Sequence, residues 1–120
     1  MDFVIPKGAD FDFTIKVLQE ESYLPQDLTN MEQAVFKLFD IKTMQLAHTA
    51  ILTVKNAAGG CLQGHIPASV TETFKVERGP KEDKYYLKPG YQASILVSFT
   101  DNTNSITVLI PEVYVAPTGG

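Results

Sequence analysis

Two aspartates spaced two apart, Asp10 and Asp12, and a thiol and imidazole spaced four apart, Cys61 and His65, are the residues whose types could do chemistry. Carboxylates on one face of a strand can divide acid and base roles in hydrolysis. Here Asp12, Thr14 and Lys16 alternate with Phe13, Ile15 and Val17, so a solvated strand face outweighs a carboxylate pair. Cys61, Gln63 and His65 share one strand face, and thiolate plus imidazole can hold zinc. A structural zinc site takes about four ligands, however, and His48 is the only other histidine. Read as nucleophile and base, the same pair lacks an orienting third group and an oxyanion hole. Asp101-Asn102-Thr103-Asn104-Ser105 sets oxygens at alternate positions like the start of a calcium loop, but lacks the central glycine and distal glutamate. Gly59-Gly60 precedes a strand rather than a helix, which removes the context of a phosphate loop. The expectation is therefore a protein that is not an enzyme, with no catalytic residue, no cofactor and no metal ligand.

The elements around these residues are β. Tyr91, Ala93, Ile95, Val97 and Phe99 alternate with Gln92, Ser94, Leu96 and Ser98. The turn chemistry of Asp101 to Asn104 follows, and Ile106, Val108 and Ile110 then resume the apolar face against Thr107 and Leu109. This long hairpin is the spine of the chain, and Pro111 is expected to cut its second strand. Phe11, Phe13, Ile15 and Val17 mark another strand, and Phe3-Val4-Ile5 a short first one before Pro6. From Gln33 to Asp40, Ala34, Phe36 and Leu38 fit a strand face, with one helical turn behind the capping pattern Thr29-x-x-Glu32 as the alternative start. Thr49 to Lys55 and Cys61 to Ile66 form a hairpin about Gly59-Gly60, and Pro67-Ala68-Ser69 can open a single helical turn. Lys75 to Lys84 is a charged loop. About seven short strands with Gly and Pro turns predict an all-β, immunoglobulin-like sandwich of antiparallel strands over residues 1–116, with 117–120 a flexible tail. Phe13, Ile15, Phe36, Ile95, Val97 and Val108 should share one core, and Tyr91 should make a tyrosine corner, its hydroxyl bonding backbone a few residues upstream.

With 120 residues, 44% of them hydrophobic, the chain can bury a core without disulfides, which the lone Cys61 cannot make internally. A net charge of −4 argues against nucleic acid, which requires a basic footprint. No apolar run has the length of a membrane span, and Met1-Asp2-Phe3-Val4-Ile5-Pro6 lacks the basic start of a signal peptide, so no membrane partner is expected.

Short phrases recur in a familiar order. They are Gly8-Ala9-Asp10-Phe11-Asp12-Phe13-Thr14-Ile15, Asp27-Leu28-Thr29-Asn30, Leu87-Lys88-Pro89-Gly90-Tyr91, Ser98-Phe99-Thr100-Asp101 and Val113-Tyr114-Val115-Ala116-Pro117. In this order they resemble the N-terminal immunoglobulin-like domain of tailed-phage baseplate upper proteins and related small tail and collar proteins. The chain departs from that pattern in the extra Asn30-Met31-Glu32-Gln33 and in a longer charged loop before Tyr85. It also stops where the larger family members carry a receptor-binding extension. The resemblance implies a structural component of a phage tail, a collar or baseplate ring subunit that anchors side fibres or neighbouring tail proteins. It would be assembled in the host cytoplasm and found in the virion tail. Its partners would be other copies of itself in a ring homo-oligomer and other tail proteins. A carbohydrate-binding or adhesion sandwich is the other reading, drawing on Tyr23, Tyr85, Tyr86 and Tyr91.

Uncharged strand edges are docking hazards in a monomer and docking surfaces in a subunit. The interface candidates are accordingly the bare terminal runs Phe3, Val4 and Ile5 and Val113, Tyr114 and Val115, with the aromatic pair Tyr85 and Tyr86.

Overall fold

Alternation of apolar and polar residues drives each strand to bury one face, and the computed structural model, which describes residues 3–19, 21–78, 87–100 and 105–117, is all-β. Its strands are β1 (Phe3–Lys7), β2 (Phe11–Lys16), β3 (Met31–Asp40), β4 (Leu46–Asn56), β5 (Cys61–Ile66), β6 (Tyr91–Phe99) and β7 (Ser105–Pro117), with one short helix, α1 (Ala68–Thr71). They form one seven-stranded sheet in the order β1-β7-β6-β3-β4-β5-β2. β4 is the hinge of that order. Residues Leu46 to Leu52 pair with β3, and Thr53 to Asn56 pair with β5.

The sheet folds over so that its two ends meet through side chains. Phe3 of β1 and Phe13 of β2, from opposite ends of the strand order, have ring centroids 5.3 Å apart. Phe36 of the central strand lies 5.2 Å from Phe13 and 6.0 Å from Phe3. Around this cluster Ile15, Ile95 and Val97 are buried as expected, and Val108 packs half-buried against them. Gly64 of β5 sits opposite Phe13 in the register, and a methyl group there would strike the Phe13 ring and Leu52. The glycine is what leaves room for the ring.

Several expectations change. The strands are not all antiparallel, because β1 pairs with β7 in parallel, Phe3 opposite Val113 through Lys7 opposite Pro117. The two terminal runs cover each other instead of standing bare. Pro111 does not cut the last strand. Tyr91 faces Val113 and Ala93 faces Ile110, so β7 carries one extra residue there, and the proline falls in that bulge. The bulge keeps both Ile110 and Val113 on the inner side. Pro117 is the end of β7 rather than the start of a loose tail, and residues 118–120 lie outside those described. The third strand begins at Met31 with no helical turn. The apparent capping box is an Asx turn, in which the Thr29 N–H (2.9 Å) and hydroxyl (2.6 Å) both donate to Asp27 Oδ1. That turn drops Leu28 into the core at 1% exposure.

Since Phe36 touches rings from both ends of the sheet, replacing it with Ala opens a cavity that no single strand can close. Chemical denaturation should show a loss of about 3–5 kcal/mol for Phe36→Ala.

Candidate functional site

Among the described residues, Asp10, Asp12, Cys61 and His65 are each engaged in structure. The Ala68 N–H donates to Asp10 Oδ1 at 2.8 Å, so Asp10 ties the start of α1 to the turn before β2. Asp12 pairs across the β2–β5 ladder with His65, Nδ1 to Oδ1 2.6 Å, in open solvent. The two carboxylates thus serve different partners. Cys61 and His65 lie at the two ends of β5's outer face, about 13 Å apart for four residues of extended chain. The Cys61 thiol instead contacts the Gly59 carbonyl at 3.6 Å. Gly60, with φ of 70°, packs a hydrogen where any Cβ would lie 2.6 Å from the Val17 carbonyl oxygen. The calcium-like turn, apart from Ser105, lies outside the described residues, as do Tyr85 and Tyr86. Among the described residues no group of three or more His, Cys, Asp or Glu gathers in reach of one metal ion.

Two ion pairs flank the described part of the charged loop: Lys42 with Glu77 at 3.3 Å and Lys75 with Asp40 at 3.8 Å. The Lys42 and Thr43 N–H groups donate to the Asp40 carboxylate and hold its pKa below the usual value. Asp27 is lowered in the same way by the Thr29 hydroxyl and N–H. His48 is shifted down by desolvation, its ring set edge-on to Phe74. Tyr91 bonds upstream backbone as expected, but not a few residues back as in a tyrosine corner. Its ring is buried at 4% exposure, and its hydroxyl accepts from the Lys75 N–H at 2.9 Å, 16 residues upstream. This bond anchors the segment leaving α1 to the start of β6. With Tyr91 inside and Tyr23 exposed at 75%, these two tyrosines form no common aromatic platform.

Of the proposed contact residues, Phe3, Ile5, Val113 and Val115 are core, and their side chains are spent within the chain. Val4 remains exposed, and Tyr114 is half-buried. The apolar surface lies elsewhere, on the outer face of β4, β3, β6 and β7. Val35 stands opposite Ile51 on one side and Leu96 on the other, a continuous apolar row across three strands. One row along, Lys37 lies between Thr49 and Ser94, and Ser94 faces Leu109. Beyond it Phe39 faces Leu46, and a groove of about 340 Å³ runs between Met44, Phe39, Leu109 and Pro111. Ile51 is 59% exposed and Leu109 71%. Sequence reading missed this face although its signal was present: Leu96 and Leu109 occupy the polar side of otherwise alternating strands. Lys37 is the only charged side chain on these central rows, a composition closer to an interface core than to a solvated sheet.

Against known protein families and curated proteins, the chain matches no family model and no curated sequence.

Two measurements follow from this geometry. Tyr91→Phe strips the Lys75 N–H of its partner and should cost about 1 kcal/mol in denaturant melts, with the fold otherwise retained. His48 has a folded pKa below its unfolded value, so the unfolded chain binds more protons between the two. Stability from this site is complete above the unfolded value, near 6.5, and declines as pH falls through the folded one. Thermal melts should therefore drop between neutral pH and pH of about 5, and His48→Gln should flatten that part of the profile.

Proposed function

We propose that this chain is a structural subunit of a bacteriophage tail, a collar or baseplate-type ring component that holds neighbouring copies and other tail proteins or side fibres. The observation that carries the reading is the outward row of Ile51, Val35 and Leu96, with Leu109 exposed on the next row. Monomeric proteins rarely leave contiguous apolar surface of this kind uncovered, and aliphatic side chains bring no reactive group to a substrate. The phrases that resemble the tail family support it from another side. Asp27-Leu28-Thr29 is the Asx turn that seeds Leu28 in the core, and Pro89-Gly90-Tyr91 leads into the strand anchored by the tyrosine hydroxyl. Burial of Phe3, Ile5, Val113 and Val115 moves the proposed contact away from the terminal runs and onto the outer sheet face, with Val4 as the terminal contribution.

Repeated contacts between different patches of identical subunits close into rings when the rotation permits. Light scattering on the full chain should give a mass several times that of one copy, and negative-stain images should show closed rings. Leu96→Lys and Leu109→Lys are exposed substitutions that should leave the melting temperature nearly unchanged and yield monomers. A parent chain that stays monomeric at high concentration would overturn the ring. A ring unaffected by both lysines would remove the outer face from it.

A further inference from the structure

Among the described residues the strand order leaves two ladder edges uncovered, and one groove runs between them. β2 stands at the end of the order, laddered only to β5. In β7 the residues Val113 to Pro117 carry β1 on their second side. The earlier part of β7, from Ser105 to Ile110, is laddered to β6 alone among the described residues. Between this bare half of β7 and the end of β2 runs a groove of about 870 Å³, lined among others by Lys16, Leu18, Tyr23, Gln26, Ile106 and Val108. Ile106 and Val108 are core-facing positions left half-covered, and Leu18 is 43% exposed. In most of the fold such positions lie beneath a paired strand; among the described residues no strand crosses Ile106 and Val108 on this side.

We infer that this groove takes an extended segment of a different protein, alternately apolar and carrying a carboxylate, as an added strand. The missing partners are of two kinds, backbone groups at an open edge and cover for apolar side chains, and an extended peptide supplies both at once. Charge selects among such peptides. Lys16 is the only charged side chain lining the groove among the described residues, and no described residue forms an ion pair with it, so a carboxylate on the incoming strand complements it. A second copy of this chain is a poorer donor than a free segment, because among the described residues its only open ladder edges, β2 and the first half of β7, border its own groove. At the mouth, Tyr23 is held in the left-handed region with φ of 59° by a turn in which its N–H donates to the Gln19 carbonyl at 3.0 Å. That conformation is costly for an aromatic residue, and it presents the ring to the groove's opening.

The test uses the full chain and acetylated heptapeptides alternating Val and Thr, with Glu or Lys at the centre, read by fluorescence anisotropy and by amide hydrogen exchange. The Glu peptide should bind saturably, the Lys peptide about fivefold more weakly, the scale of one exposed ion pair. Lys16→Glu, an exposed substitution whose folding is checked by its melting curve, should reverse the preference. Bound peptide should slow exchange at residues 105–108, and the monomeric Leu96→Lys variant should bind equally well, which separates this groove from the ring contact. Absence of binding by either peptide, an unchanged preference in Lys16→Glu, or protection confined to other strands would overturn the proposal. Self-association of the chain that protects the same amides would overturn it in favour of a second copy.

Discussion

The contact on which the rest of the fold depends is the meeting of Phe3, Phe13 and Phe36. A seven-stranded sheet left open would expose one entire apolar face, and the twist of its strands supplies curvature without deciding where the ends go. Aromatic rings from the first strand, the last strand and the middle of the order decide it. They set the two ends against each other at contact distance, and Gly64 yields the space that the Phe13 ring occupies. Edge-on and tilted rings add specific geometry to the area they bury. Removing one ring therefore weakens a closure rather than a local patch.

That closure explains the treatment of the termini. β1 lies parallel to the end of β7, which sinks Phe3, Ile5, Val113 and Val115 into the core and ladders the first strand at the end of the order opposite β2. Parallel pairing of segments more than a hundred residues apart has a high loop-closure cost, and burial of these four side chains offsets it. The helix α1 is bolted to the same corner. The buried Thr71 hydroxyl donates to the Ala9 carbonyl at 2.8 Å and accepts from the Gly8 N–H at 3.0 Å. Terminal strands that appear sticky in the sequence are internal cement in the fold.

Apart from Val4, the large apolar side chains left exposed are consequently not on the paired terminal runs. The outer face of β4, β3, β6 and β7 keeps a row of aliphatic side chains, Ile51, Val35 and Leu96, among polar neighbours, and among the described residues the gap between β2 and β7 keeps unladdered backbone. The two features differ in physics. A flat apolar face favours a broad, non-directional contact, whereas an open strand edge demands an extended backbone in a fixed register. A tail component proposed to hold both its own neighbours and other proteins has use for one of each.

Period-2 alternation alone determined the all-β class, the positions of six strands to within a few residues, the turn at Gly59-Gly60, and most of the core. Side-chain direction in a strand is a local property, fixed by the pleat. The spacing from Ile110 to Val113 also carried the bulge, since two residues rather than one lie between two inward positions, though Pro111 suggested a break instead. Tertiary structure alone decided which edges pair, because ladder partners are chosen by closure of the whole sheet. Hence the parallel β1–β7 pairing, the burial of Phe3, Ile5, Val113 and Val115, and the room at Gly64 were not legible in advance. The exposed row was half legible: Leu96 and Leu109 stand out of pattern in sequence, but their alignment with Val35 and Ile51 exists only once register sets the strands side by side. The separation of Asp10 from Asp12 was likewise a matter of neighbours, one carboxylate taken by the backbone of α1 and the other by His65 across the ladder.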